Sequence, residues 1–540
     1  MSPRWSALLL TGSLLACGEA EVGGLGLGGP WAPIFGPTDG GPEEFTDNGF
    51  LIPDAGPARD RGVRDRGVPE MGILDAEPPP PRDILQALRG IPGLRVQEVQ
   101  ASLPGTRAFL LRFRQPEDHN DPQGPTFDQR LVLIHRSETA PMVLHTTGYG
   151  LFGNPMEFTS SEIEPTVALQ ANQLTVEHRF FGESIAASPR WDFLTVVQSA
   201  ADSHRIVTLL SAIYGGPWIG SGYSKGGMTA IFHHHYHPQD LAGIVPYVAP
   251  ISFGLDTRYA AFLAQIGPSD GACRERIVDL ERETVERRAE LAEYHLATDP
   301  RANNYSLEAL EILSFYPALG WRWGFWQYSA SPELCTQLPP RGLGIEDLAS
   351  IFPFSPEAYF EQGAYDPELN PYYYQVAREL GGPSVDFLAE LQQALIGVDF
   401  DALPPAPLTP NPWGQEPSLD PTTMRNVDQR LRTRAERVLA IYGEWDPWTG
   451  GRITLGPNND TFNLTAPGLT HLAEILYLSP AEQDLALRTL DRWVGRSSLV
   501  ARDYTRIKAQ MAANPGHRRI MELTRHLEQR AQQKWLGLRP

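Results

Sequence analysis

The feature that most constrains this chain is Gly222-Tyr223-Ser224-Lys225-Gly226-Gly227, a G-x-S-x-G pattern set between an apolar run and a helical pattern. Pro217, Trp218 and Ile219 read as a short buried strand, and Met228 to Tyr236 as the helix that follows. Ser224 therefore falls on the tight strand-to-helix turn of a nucleophile elbow, which makes this stretch an α/β unit. Glycines suit that turn because its crowded flanks leave no room for side chains. The N–H groups at the new helix start point toward charge developing beside the serine. A lone match is also compatible with an ordinary Gly-rich turn, so the pattern needs partners.

The partners follow in order. Arg437 to Tyr442 is a β-rich apolar run that breaks at Gly443-Glu444-Trp445-Asp446-Pro447, placing Asp446 at the C-terminal end of a strand. A second strand pattern, Thr461 to Ala466, ends at Pro467-Gly468-Leu469-Thr470-His471. The order Ser, Asp, His, with acid and base each on a loop after a strand, is the α/β-hydrolase arrangement. In that arrangement His471 takes the Ser224 proton as general base and Asp446 fixes the imidazole tautomer, with Glu444 the alternative acid. The expected oxyanion donors are the backbone N–H of Lys225 and one from the Thr146–Gly150 loop, Tyr149 or Gly150, after the strand Met142–His145.

Further blocks carry a resemblance. Glu177-His178-Arg179-Phe180-Phe181-Gly182-Glu183-Ser184, then Gln198, Ala201, Asp202, His204 and Arg205 on a helix, then Ser224-Lys225-Gly226-Gly227-Met228-Thr229 and Tyr247-Val248-Ala249-Pro250, resemble the secreted bacterial prolyl tri/tetrapeptidyl aminopeptidases. These are serine peptidases distantly related to prolyl carboxypeptidase and the lysosomal type of dipeptidyl peptidase. The similarity spans roughly residues 95 to 480. It implies exopeptidase action near the N-terminus of peptide substrates, with proline at the cleaved bond. The residues themselves argue only for acyl transfer from a serine. An esterase or lipase using the same triad, and a silent binding protein on the same scaffold, are the alternatives. Within the first block, Glu177 and Arg179 read as a buried ion pair.

Between Pro250, after the strand Gly243–Val248, and Arg437 lies an insertion of about 180 residues with helical patterns at Arg274–Glu293 and Tyr305–Phe315. It reads as a mainly helical cap over residues 255–430, flanked by hydrolase core at 86–254 and 431–500. Trp321, Trp323, Phe325, Trp326 and Tyr328 fall inside it. Such rings dominate any small core, and Trp323 and Trp326 are the candidates to wall a proline pocket. A helix over Pro480–Val494 completes the core. The tail from Ala501 carries a net charge of roughly +6 and an apolar stripe of Ile520, Leu523, Leu527, Ala531 and Trp535, which suits docking on the acidic body.

The formal charge of -20 repels nucleic acid. Arg4 followed by the apolar run Ala7–Ala16 has the length of a signal-peptide core, and Leu14-Leu15-Ala16-Cys17 is similar to a bacterial lipobox. The expectation is a signal peptide over 1–16 and a lipid on Cys17, which would tether the enzyme to a membrane of the cell envelope. Plain secretion is the alternative. Spending Cys17 on a lipid leaves Cys273 and Cys335 as an even pair for a disulfide in an oxidising compartment. Residues 17–85, rich in Gly, Pro and Asp, are too poor in apolar residues to fold and read as a disordered tether. No cofactor is expected. His233, His234, His235 and His237 include an i,i+4 pair, but with no carboxylate or cysteine seen beside them they read as solvated helix surface rather than a metal site.

Overall fold

Among the described residues, nine strands build one sheet in the order β1-β2-β3-β5-β4-β6-β7-β10-β11. They are β1 (Leu94–Val99), β2 (Arg107–Pro116), β3 (Thr126–His135), β4 (Met142–Thr146), β5 (Asn172–Val176), β6 (Trp218–Tyr223), β7 (Gly243–Tyr247), β10 (Val438–Gly443) and β11 (Thr461–Ala466); a separate pair is β8 (Leu255–Asp256) and β9 (Gly382–Pro383). The computed structural model describes residues 83–151, 155–356, 369–404, 412–414, 417–457, 460–496 and 502–514. The leader, Cys17, the tether up to residue 82 and the stripe from Ile520 to Trp535 lie outside the described residues.

The β1, β2 and β3 end of the sheet is antiparallel, and β3 meets β5 antiparallel; every pairing from β5 to β11 is parallel. Strands β4, β5, β6, β7 and β10 are buried along their whole length, as parallel strands covered on both faces must be. Alternate residues serve opposite cores. Leu144, Ile244 and Ala440 pack on one face with Ile231 and Phe232 of the elbow helix (Lys225–Tyr236), while Val143, Val245 and Ile441 pack on the other with Leu487 and Leu490 of the Pro480–Trp493 helix. This is the α/β-hydrolase fold. Its parallel strands all end on one edge, where loops collect functional side chains.

The insertion between β7 and β10 forms its own core around Tyr259, Ile277, Leu310, Phe315, Trp323 and Trp326. Two cross-links stiffen it. Cys273 and Cys335 are disulfide-bonded across a sequence separation of 62, a closure that stabilises by roughly 4 kcal/mol on chain-entropy grounds. Arg322 is buried against the fully buried Glu281. The helix expected over Arg274–Glu293 is two helices, Ala272–Glu286 and Arg288–Thr298. No glycine or proline marks the break; Arg287 sits in it and its guanidinium bonds Glu283, Glu290 and the Leu343 carbonyl. The described start of the basic tail docks on the body: in the Tyr504–Ala513 helix, Ile507 and Met511 enter the second sheet core, and Lys508 meets Asp484.

Candidate active site

Strand β6 delivers Ser224 directly into the elbow helix, with Ser224 at φ 52 and ψ -123. A non-glycine residue in that region costs about 1–3 kcal/mol, so the surroundings must impose it. They do so by hydrogen bonds on both sides: Ser224 N–H donates to Tyr247 O at 2.9 Å, and Met228 N–H donates to Ser224 O at 3.0 Å. Gly226 is required by contact, since a Cβ there would lie 2.2 Å from the Thr146 carbonyl oxygen. Ser224 remains partly exposed while Lys225 to Phe232 are buried.

Asp446 follows β10 and caps a short helical turn, Pro447–Gly451. One carboxylate oxygen, Oδ1, accepts Trp448 N–H at 3.1 Å; the other, Oδ2, lies 2.7 Å from His471 Nδ1. Both residues are buried, at 0% and 2% exposure, so this pair is shielded from water. Glu444, the alternative acid, is exposed and accepts Gly468 N–H at 2.7 Å instead. Because β6, β7 and β10 are parallel neighbours, the elbow and the Asp446 loop open at one edge of the sheet. No cap residue in the sequence reading was assigned to His471, yet His471 N–H donates to the Gln327 carbonyl at 3.0 Å, and the Tyr328 and Trp448 rings lie 6.3 and 6.5 Å from its imidazole. Ring content alone could not have selected Tyr328 from the other four aromatics of that run.

The loop after β4 packs on the elbow. Gly148, at φ +75, sits where a Cβ would be 2.4 Å from Gly226 N. The Lys225 side chain turns back under this loop: Nζ donates to Gly148 O at 2.5 Å and faces the Tyr149 and Phe181 rings at 5.4 and 4.8 Å. Burial holds its pKa well below the ordinary lysine range. The G-x-S-x-G pattern assigns only the backbone of Lys225, and nothing in its spacing announces this side-chain role. Of the two loop candidates, Tyr149 N–H donates to Thr147 Oγ1 at 3.3 Å.

Glu177 and Arg179 do not pair with each other, contrary to the sequence reading. Strand β5 ends at Val176, and the chain turns through Phe180 at φ 70, so the two side chains take separate partners. Glu177 pairs with Arg130 of β3, and Arg179 with Asp202 of the Val196–Leu210 helix at 2.7 Å. The block still acts on the loop after β4: Glu177 Oε1 accepts Leu151 N–H at 2.6 Å, and His178 N–H donates to Tyr149 O at 2.9 Å.

Trp323 and Trp326 are 1% and 2% exposed, filling the cap core rather than walling an open pocket. They pack on the rings that flank Asp446, with Trp323 5.0 Å from Trp448 and Trp326 6.0 Å from Trp445. The histidines are likewise no solvated surface. His233 and His234 are buried on the elbow helix, and the carboxylate missed in the sequence is Asp240, with Oδ2 2.7 Å from His233 Nε2. It lies beyond the helix end, where i,i+4 spacing no longer applies, and its second histidine neighbour, His204, comes from another helix.

The sequence matches the PS-10 peptidase S37 family over residues 76–540. It is 31% identical, over 425 residues covering 77% of this chain and 86% of the relative, to the prolyl tri/tetrapeptidyl aminopeptidase of Streptomyces mobaraensis. Among solved structures, similarity extends to the proline iminopeptidase of Mycobacterium smegmatis, at 14% identity over 74% of this chain and 98% of that one with a TM-score of 0.31. An epoxide hydrolase from an endophytic Streptomyces is similar at 14% identity over 74% and 95% of the two chains, with a TM-score of 0.28. On the family match and the long relative together, the chain belongs to the PS-10 peptidase S37 family and is a serine peptidase.

Proposed function

We propose that this peptidase releases short peptides, of three or four residues, from the N-terminus of its substrates, with proline at the cleaved bond, through an acyl-enzyme on Ser224. The observation that carries the chemistry is the 2.7 Å contact between Asp446 Oδ2 and His471 Nδ1 on the edge where the elbow presents Ser224. An acceptor on Nδ1 keeps the proton there and leaves Nε2 as the base. His471 then takes the Ser224 proton as Oγ attacks the carbonyl and returns it to the leaving amine, while Asp446 stabilises the imidazolium. The developing oxyanion would be met by Lys225 N–H at the helix start and by Gly150 N–H, since Tyr149 N–H is directed to Thr147 Oγ1.

The peptide specificity rests on the family and on the name of the Streptomyces relative. A cap in contact with His471 favours a chain end over the middle of a folded protein, and excluding water strengthens the oxyanion contacts. Free-amino and N-acetylated peptides, with and without proline, test this beside short-chain esters. Acetylation is expected to cost about 2–4 kcal/mol in kcat/KM, the scale for losing one partner of a desolvated charge contact. Equal cleavage of blocked and free peptides ends the aminopeptidase reading, and cleavage of esters alone replaces it with an esterase. The leader and Cys17 support a lipid-anchored enzyme of the cell envelope, which mass spectrometry of the mature N-terminus tests.

A further inference from the structure

The elbow helix has chemistry at both ends. Ser224 precedes its first residue, and His237 follows its last, so about 18 Å of helix separates the two at 1.5 Å per residue. At the far end His237, His204 from the Val196–Leu210 helix and Asp240 bring one ligand atom each within 4.8 Å of one another. Asp240 Oδ2 lies 2.8 Å from His204 Nδ1 and 2.7 Å from His233 Nε2. The His204 and His237 rings stack at 4.1 Å with an interplanar angle of 8°. We propose that His204, His237 and Asp240 form a binding site for one divalent transition ion of the Zn2+ type, with His233 as the positioning residue that orients the Asp240 carboxylate.

Three observations favour an ion over a plain hydrogen-bonded cluster. The ligand set is two imidazoles and a carboxylate, the borderline nitrogen and oxygen donors that Zn2+ accepts, with a fourth position left for water. The donors are brought together by one helix, the end of the elbow helix and the turn that follows it, and the His204 side chain is 44% exposed, so an ion can reach them. His233 is buried, and among the described residues its Nδ1 has no hydrogen-bond partner, so its ring proton serves Asp240 through Nε2. That is the outer-shell arrangement that fixes a ligating carboxylate. At tetrahedral Zn–N and Zn–O lengths near 2.0 Å, neighbouring ligand atoms stand about 3.3 Å apart. Binding therefore opens the 2.8 Å contact between His204 and Asp240 slightly, draws the wider ones in and keeps the contact to His233. Such a clip joins two core helices and does not touch the acyl chemistry.

The test uses the chelator-treated full chain and ZnCl2 alone, followed by calorimetric titration and thermal unfolding. The expected result is one Zn2+ per chain with Kd below about 10 µM and a rise in Tm. His204→Ala with His237→Ala should remove this binding, and Asp240→Asn should weaken it at least tenfold, with fluorophosphonate labelling of Ser224 retained as the check on folding. His233→Asn should leave the stoichiometry at one and weaken affinity about 10- to 100-fold, with Tm of the metal-free protein little changed. X-ray absorption of the wild-type Zn2+ complex, which needs no variant, should show two imidazole ligands and oxygen. No binding below about 100 µM, unchanged binding in the double variant, or a ligand shell without imidazole would each overturn the site.

Discussion

The sheet edge and the cap meet at the candidate active site but are built by different rules. The edge is backbone-determined: Ser224 is held at φ 52 by main-chain hydrogen bonds, and Gly148 and Gly226 bring main chain against main chain. The cap is side-chain-determined, an assembly of short helices held by interlocked rings, one disulfide and the buried Arg322–Glu281 pair. It reaches the edge on two sides, through Gln327 and Tyr328 at His471 and through Tyr372, whose ring lies 5.7 Å from Tyr149 of the loop after β4. The contrast teaches that reactivity and access can be perturbed separately. Changes at the edge should remove chemistry and leave the fold, whereas changes in the cap should cost stability and peptide turnover before they cost reactivity toward a small probe.

The largest effect should come from the edge. Asp446→Asn removes the acceptor that fixes the His471 tautomer while keeping its shape, and turnover should fall by about 10⁴-fold with an unchanged unfolding curve, the scale of this substitution in serine proteases. Near-normal turnover would return the role to another carboxylate and break the division between edge and cap. In the cap, Arg322→Met leaves the fully buried Glu281 carboxylate without its cation and should destabilise by about 3–5 kcal/mol in denaturant unfolding. Below that transition the variant should still label with a fluorophosphonate while peptide turnover drops.

These two regions also differ in how far they could be read in advance. The glycines at 222, 226 and 227 and the strand endings near Tyr442 and Ala466 carry a backbone requirement into the sequence, so the elbow, the acid loop and the histidine loop were legible, although the strand before Ser224, read as Pro217–Ile219, runs from Trp218 to Tyr223. The cap's helical character was legible from periodicity and an aromatic core from its ring content, but its internal break at Arg287 and the partners of Trp323 and Trp326 were not, because ring packing depends on residues such as Trp445 and Trp448 across an interface. Charge partners failed in the same way. Glu177 looked paired with its neighbour Arg179 but found Arg130 instead, and the histidines found Asp240 and His204.

A smaller effect sharpens the seam between cap and core. Glu379 of the cap accepts Val196 N–H at 2.8 Å, at the start of a core helix, and burial pushes its carboxyl up to about 7 from an ordinary 4.5. The folded state thus binds this proton more tightly than the unfolded chain. Its contribution is fully present below about pH 4.5 and is lost as pH rises through 7, by about 3 kcal/mol. Unfolding measured from pH 4 to 8 should show that decline, and Glu379→Gln should flatten it.

Everything assigned to the edge depends on Ser224 being the residue that forms the acyl-enzyme. The most direct measurement is active-site labelling of the wild type and Ser224→Ala with a fluorophosphonate, with the modified residue mapped by peptide mass spectrometry. One label per wild-type chain on Ser224, and none on a Ser224→Ala protein that unfolds like the wild type, is the predicted result. Stoichiometric labelling of the folded Ser224→Ala protein, or a wild-type label mapped to another serine, would contradict it.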